Sequence, residues 1–283
     1  MRTSLFAAIF AGIILFMTRS AVAGVGVPDE TNEYPNVGVM IIFDFSIPPP
    51  LPPISTFCSG VLISEQHFLT AAHCVDWIST VESPVVVVSF DRVVDPFYSS
   101  RIPIVDWHMH PDYPPGQWVS PGSSPGIAGL KNDLGILELH PDYDPAAIFG
   151  ALPARLPSQG LLDRMKREGD LDQADIVNVG YGVVPALIGP PRYAPPDGTR
   201  RISTSRFTGL TQDFLKQRMN VSAGDEGGSA QGDSGSPKFL AGDDSRTILA
   251  ITSWGDPPNR AMNSSVRVDS PEALSFIGGV LNR

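Results

Sequence analysis

Short β-type runs cut apart by glycine and proline limit what this chain can fold into more than any other feature. Val37 to Phe43, Gly60 to Ile63, Pro84 to Phe90, Leu134 to Leu139, Asp175 to Gly180 and Thr247 to Ser253 are rich in apolar residues, and turn formers separate them. Runs this short, with no heptad pattern and no repeat of solenoid length, predict an all-β fold. The prolines cluster at Pro48-Pro49-Pro50, Pro114-Pro115 and Pro195-Pro196, and because proline donates nothing to a central ladder these are loops. Pro111 to Gly129 and Val183 to Gly198 read as surface excursions. Two helices are expected: a short exposed one over Leu161 to Gly169, and a final one with Ser270 as cap, Pro271 in the first turn and Glu272 behind it, running to about Val280.

Arg2 precedes an apolar run from Leu5 to Met17, and Ala21-Val22-Ala23 supplies small residues at alternate positions, so residues 1–23 read as a secretory leader. The run is shorter than the roughly 20 residues of a membrane-spanning helix. Secretion to an extracellular or periplasmic space is expected, with no membrane association once the leader is gone. About 260 residues remain from Gly24, enough for one large domain or two small ones sharing a cleft. Losing Arg2 and Arg19 takes the formal charge from −10 to −12, which makes nucleic acid and anionic membranes poor partners. The two cysteines, Cys58 and Cys74, are expected to pair in an oxidising compartment, a bridge worth about 3 kcal/mol in the chain-entropy account.

Three motifs carry chemistry. In Leu69-Thr70-Ala71-Ala72-His73-Cys74 a histidine follows small residues that allow close backbone approach, and Cys74 can tie it to Phe57-Cys58-Ser59-Gly60. A clamped imidazole suits a general base. In Gly232-Asp233-Ser234-Gly235-Ser236-Pro237 flanking glycines let the backbone turn sharply and present amide N–H groups beside a hydroxyl. Donors so placed can stabilise an oxyanion by about 3 to 4 kcal/mol each. In Asn132-Asp133-Leu134-Gly135-Ile136-Leu137 a lone acid enters an apolar strand, which is costly unless something such as a histidine N–H pairs with it. Each motif alone has an ordinary reading as a core histidine, a surface turn or a turn acid.

Together, in the order His, Asp, Ser, the motifs closely resemble the chymotrypsin/trypsin family of serine proteases over nearly the whole exported chain. The resemblance extends to Ser253-Trp254-Gly255 and to the closing helix, and the Cys58 to Cys74 spacing fits that family's histidine-loop disulfide. It implies two antiparallel six-stranded β-barrels with a C-terminal helix, one barrel over residues 24–150 and the other over 151–283, together one peptidase domain. It implies a serine endopeptidase with His73, Asp133 and Ser234 as catalytic triad, Gly232 and Ser234 N–H as oxyanion donors, and Ser253 supporting Asp133. Ser253, Trp254 and Gly255 would pair with substrate backbone. Asp233 resembles the residue that receives a freed N-terminal ammonium. The floor of the specificity pocket falls at Gly228, where no acid sits, so an uncharged P1 side chain is expected; Ser229, Gly255 and Ser265 would leave room for an apolar side chain, and a one- or two-residue loop shift in Gly224-Asp225-Glu226-Gly227-Gly228 could bring Asp225 or Glu226 in. Expected partners are protein or peptide substrates and protein inhibitors, with a monomer, no cofactor and no metal.

The chain departs from the family in three places. Gly24-Val25-Gly26-Val27 replaces the usual activation sequence, so leader cleavage itself is expected to free the N-terminus without a zymogen step; Ala230 replaces one cysteine of the bridge that usually fixes the pocket wall; Gly135 and Ser236 replace an alanine and a glycine. Competing hydrolases fail on chain order, because all five histidines lie at or before His140 and an α/β-hydrolase places its histidine after the serine. A subtilisin-like order would leave Asp29 or Asp44 as the acid, and a papain-like enzyme needs a free thiol. The rival from another class is an inactive homologue that serves as a binding module. His108-Met109-His110 has the spacing by which two imidazoles on one strand share a metal, but its ordinary reading as a strand leading into Pro111-Asp112-Tyr113 is preferred. Asn220-Val221-Ser222 and Asn263-Ser264-Ser265 fit the glycosylation pattern.

Overall fold

In the computed structural model the described residues are 26–47, 54–116, 131–183, 197–219, 227–255 and 261–283, the side chains of 54–57 excepted. The leader, the proline cluster at Pro48, most of the two excursions, the Asn220 sequon and the acids Asp225 and Glu226 lie outside them. A short β1 (Val27–Pro28) precedes β2 (Val37–Phe43), β3 (Ile54–Ser64), β4 (His67–Thr70), β5 (Val85–Ser89), β6 (Ile102–Met109) and β7 (Gly135–Leu139). The last six close into an antiparallel barrel in the order β2-β3-β4-β7-β6-β5. β8 (Asp175–Gly180), β9 (Arg201–Leu210), β10 (Phe214–Arg218), β11 (Pro237–Leu240), β12 (Ala250–Gly255) and β13 (Met262–Arg267) form a second six-stranded barrel, closed by pairing of β8 with β9, and β1 adds to β9 outside the ring. The fold class is the one expected, and residue 150 falls in the connection between β7 and β8.

β2 is buried along its whole length because both of its faces are covered. Met40 and Ile42 point into the first barrel with Leu62, Phe68 and Val88, while Val39, Ile41 and Phe43 pack on Val87, Val94 and Tyr181. That explains a continuous apolar run where a half-exposed strand would alternate. A further core spans the seam between barrels, joining Val37, Leu69 and Ile136 to Val179, Phe239 and Ile251, and to Ala273, Ile277 and Val280 of the closing helix.

Four helices interrupt the strands. α1 (Ala72–Ile78) and α2 (Pro145–Phe149) had no separate sequence signal, and α3 (Leu161–Glu168) stands where a short exposed helix was expected. α4 (Pro271–Leu281) begins as its cap predicts, with the Ala273 N–H donating to Ser270 Oγ at 3.1 Å. Among the described residues no helix is long and apolar enough to cross a membrane.

A buried ion pair fastens the barrels. Arg200, at the start of β9, donates from Nε to Asp29 Oδ2 at 2.9 Å and from Nη1 to the carbonyls of Val37 and Phe90 at 3.0 Å each, and both charged side chains are fully buried. With its hydrogen bonds met on both sides, the guanidinium is tolerated in the interior. It fixes the β9 end of the second barrel on the backbone of the first.

Candidate active site

β4 runs directly into α1, and His73 is the second residue of that helix. Cys74 is bonded to Cys58 of β3, so the segment is anchored from both ends. Asp133 sits in the turn before β7, where Asn132 adopts a left-handed backbone at φ 60°. Gly135 follows because α1 packs hard on β7; a Cβ there would lie 2.5 Å from Val75 Cγ2.

Asp133 is completely buried and accepts three hydrogen bonds. The His73 ring donates from Nδ1 to Oδ2 at 2.8 Å, the His73 backbone N–H donates to Oδ1 at 2.9 Å, and Ser253 Oγ donates to Oδ2 at 2.6 Å. Burial pushes the Asp133 pKa up, but the His73 charge and these hydrogen bonds outweigh it and hold the carboxyl below its ordinary value. For His73, burial pulls the other way, and the Asp133 charge and hydrogen bond win, raising the imidazole above its ordinary value. The arrangement fixes one ring tautomer, with the proton on Nδ1 and Nε2 free to take another.

Ser253 reaches Asp133 because it is an extra residue in β12. The register to β13 slips between Thr252 and Trp254, and such a bulge turns a side chain away from the regular alternation. β11 pairs with β12 only at Ala250 and Ile251, so Ser253-Trp254-Gly255 has β13 on one side only.

The Ser234 turn is pressed against the first barrel. Gly232 and Gly235 have φ of 95° and 82°, values that suit glycine. A Cβ on Gly235 would lie 2.3 Å from the Ser59 carbonyl and 2.9 Å from the Ala71 nitrogen. The Ser59 N–H donates to the Ser234 carbonyl at 2.8 Å, Ser59 Oγ donates to the Gly232 carbonyl at 2.8 Å, and Thr70 Oγ1 donates to the Ser59 carbonyl at 2.7 Å. The Ser234 turn is therefore fastened to Ser59 of β3 and to Thr70 and Ala71, which lead into the helix that carries His73. Among the described residues no hydrogen bond links its hydroxyl to the His73 ring, and neither the Gly232 nor the Ser234 N–H has a protein acceptor. A free hydroxyl and two free donors lie together in this turn.

Beneath the turn, Asp233 is buried. Its carboxylate accepts the Gly182 N–H at 2.9 Å and the Ala230 N–H at 2.8 Å. Gly180 and Gly182 make room for it, since a Cβ at either would fall within 2.2 Å of a carboxylate oxygen. Ala230, where the family's pocket cystine is missing, is thus held by Asp233. The fully buried Lys238 lies four residues past the serine; its Nζ donates to Ser229 Oγ at 2.8 Å. Burial lowers its pKa to about 7, with Asp233 opposing, and burial likewise raises Asp233 against its two N–H donors and Lys238.

Gly228 faces Met219, and a Cβ there would meet Met219 Sδ at 2.1 Å. Ser265 Oγ donates to Asn263 Oδ1 at 2.8 Å. The structure thus brings together His73, Asp133 and Ser253, sets the Ser234 turn against Ser59, Thr70 and Ala71, and joins Ser229 to Lys238. Sequence reasoning passed over Ser59, Thr70, Met219 and Lys238. Ser59 and Thr70 lie inside quoted motifs but carry no signal of their own, whereas a lone lysine opening an apolar run at Pro237-Lys238-Phe239-Leu240 was a readable anomaly. The sulfurs of Cys58 and Cys74 lie near His73 but are tied in the disulfide and cannot act as thiolates.

Comparison with known proteins agrees with this fold. The family model described as Trypsin matches residues 28–185. Among solved structures, human heparin binding protein aligns at 18% identity with a TM-score of 0.61, covering 91% of this chain and 96% of its own. HL collagenase aligns at 16% identity with a TM-score of 0.62, covering 92% and 98%. At these identities the two structures speak for the fold alone.

Proposed function

The chain belongs to the trypsin family of serine proteases, and from that premise we propose that it is a secreted serine endopeptidase using His73, Asp133 and Ser234. Ser234 Oγ attacks the acyl carbon as His73 Nε2 takes its proton, and the imidazolium that forms is stabilised by Asp133. The developing oxyanion is held by the N–H groups of Gly232 and Ser234. His73 returns the proton to the leaving amine, and water then hydrolyses the acyl-enzyme by the same path in reverse. The observation that carries this reading is the fully buried Asp133 carboxylate shared by His73 of one barrel and Ser253 of the other.

Substrate backbone pairs with the free side of Ser253-Trp254-Gly255, and the P1 side chain enters beside Gly228 and Ser229. Lys238 behind Ser229 disfavours a cationic P1 residue, which supports an uncharged preference. Asp233 keeps the oxyanion turn open, and leader removal alone yields active enzyme, with residues 24–150 and 151–283 as its two halves. Protein inhibitors that mimic a substrate strand are the expected regulators of a monomer.

Fluorophosphonate labelling tests the reading directly. Wild type is expected to label at Ser234 and Ser234→Ala not at all. A folded wild type that stays unlabelled would instead favour the binding-module alternative. One structural neighbour is named for binding heparin, but a formal charge of −10 makes a polyanion a poor ligand here.

A further inference from the structure

The pair of histidines that the sequence sets at alternate positions is taken apart by the fold. β6 ends at Met109, and His110 is buried beyond it, its Nδ1 accepting the Asp112 N–H at 3.2 Å and its ring packed on Phe276. His108 instead lies on the outer face of the first barrel, where β4, β7 and β6 are neighbours. Glu138 of β7 stands directly opposite His67 of β4 on one side and Asp106 of β6 on the other. Residues opposite one another in antiparallel strands share a face, so His67, Glu138 and Asp106 share one face across three strands, with His108 two positions beyond Asp106 on the same face.

Their atoms are close. His108 Nε2 is 2.7 Å from Glu138 Oε1 and 3.8 Å from Asp106 Oδ2, and the ligand atoms of these three residues all lie within 4.8 Å of one another. Ligands around a tetrahedral zinc ion stand about 3.4 Å apart when each bond is about 2.1 Å, so small side-chain rotations suffice to surround an ion. The His67 ring is oriented by a 2.6 Å hydrogen bond between Nδ1 and Ser64 Oγ, which leaves Nε2 free, an arrangement typical of a metal-binding histidine. Glu138 and His108 both act electrostatically on that ring. The side chains of Asp106, Glu138 and His108 are 60%, 28% and 14% exposed, so solvent reaches the cluster.

We propose that His67, His108, Glu138 and Asp106 form a binding site for a divalent transition metal, with zinc(II) the ion that the mixed nitrogen and oxygen ligand set fits best. Two imidazoles exclude calcium and magnesium as preferred occupants, since those ions take oxygen ligands. Metal binding at His108 Nε2 replaces its hydrogen bond to Glu138 and leaves the imidazole proton on Nδ1. Arg283 Nη1, 3.5 Å from His108 Nδ1, is the opposing cation and must swing aside. An ion here ties β4, which leads into His73, to β7, which follows Asp133, so it stiffens the strands that carry both residues. The site uses no part of the Ser234 turn and stands whether or not the chain is a peptidase.

The test is zinc titration of the purified, chelator-treated chain against a chromogenic competitor, with the melting temperature followed in parallel. One ion per chain and a higher melting temperature are expected, with no response to calcium. His108→Ala and Glu138→Gln should each weaken zinc at least tenfold while circular dichroism stays unchanged, Arg283→Ala should tighten it, and His73→Ala should leave it unaltered. Absence of zinc binding, affinity unchanged in both His108→Ala and Glu138→Gln, or affinity lost in His73→Ala would each overturn the proposal. If His108→Ala fails to fold, Glu138→Gln and His67→Ala decide the matter by the same criterion.

Discussion

In the first barrel the inward strand faces carry Met40, Ile42, Leu62, Phe68, Val88, Ile102 and Leu137, paired level by level across the ring as Met40 with Val88, and Leu62 with Phe68 and Leu137. In the second, one end of the interior is similar, with Ile176, Leu215 and Ala250. The other end is not. There Asn178 pairs with Ser203 and with Lys238, Gln217 with Asn263, and Thr252 with Ser265. The polar groups are largely satisfied by one another. Asn178 donates to Ser205 Oγ at 2.8 Å and accepts from Gln217 Nε2 at 2.9 Å, Ser205 Oγ donates to the Gly227 carbonyl at 2.8 Å, and Ser236 and Thr252 hydroxyls meet at 2.7 Å. The first barrel is thus held by apolar burial, which is non-directional. The second spends part of its interior on hydrogen bonds that grip the Gly227–Ser229 segment, next to the reactive turn. Directional bonds suit a pocket wall because they fix positions that apolar packing leaves free to adapt.

The buried charges sharpen the contrast, because those attached to the two barrels shift in opposite senses. His73 is raised, so it adds stability that is complete below about pH 6.5 and is lost as the pH climbs through its folded value. Asp133 is lowered, so its contribution is complete above about pH 3.8 and is lost as the pH falls through its folded value. The pair therefore stabilises most between those limits. Asp233 and Lys238 shift the other way, each at a cost to the fold. The largest effect is expected from Asp133→Asn, which should lower kcat by about 10⁴-fold while the fold persists, and should flatten both limbs of the stability–pH curve measured by urea unfolding. A loss of less than tenfold would mean that this pair does not serve catalysis.

Two packing experiments test whether the barrels are stabilised differently. Phe68 is fully buried and meets Phe90 edge-on at 5.7 Å, so Phe68→Ala should cost about 3 to 5 kcal/mol. In the second barrel, Lys238→Met alone should cost about 3 kcal/mol because it removes the buried cation that offsets the Asp233 charge and the donor to Ser229 Oγ. Adding Asp233→Asn should restore most of that, since a buried pair exchanged for neutral groups of similar shape is close to neutral. Additive losses in the double variant would show that the two groups do not interact, and the second barrel would then be no different in kind from the first.

The same contrast decides what was readable in the sequence. β2, β5, β7 and β8 were anticipated nearly to the residue, because apolar burial writes itself as runs of Val, Ile and Leu. β9, β10 and β13 were not anticipated. In Arg201-Ile202-Ser203-Thr204-Ser205 and in Asn263-Ser264-Ser265 the inward positions are hydroxyls and amides, so the alternation that marks a strand is absent although the residues are buried. The candidate-site motifs were legible for a different reason. A sharp turn and a tight helix entry need glycine and alanine at fixed offsets, as at Gly232, Gly235, Ala71 and Ala72, and those offsets survive in the linear order. What the order could not convey was the bulge by which Ser253, expected from the resemblance to support Asp133, reaches it, or Lys238 behind Ser229, because both depend on register across strands far apart in the chain.

The smallest expected effect probes the polar network from within. Ser264 Oγ is buried without a hydrogen-bond partner, as is Trp254 Nε1 on the opposed residue of β12. Ser205 Oγ, by contrast, accepts from Asn178 and donates to Gly227. Burying an unsatisfied hydroxyl costs about 1 to 3 kcal/mol, whereas a satisfied one contributes about 1 kcal/mol. Ser264→Ala should therefore leave stability unchanged or raise it slightly in urea unfolding, while Ser205→Ala lowers it and loosens the Gly227–Ser229 wall, seen as faster hydrogen exchange at the Gly227 amide. Equal losses in the two variants would mean that hydroxyl burial in this barrel acts through volume alone, and the network would then be incidental to how the pocket is held.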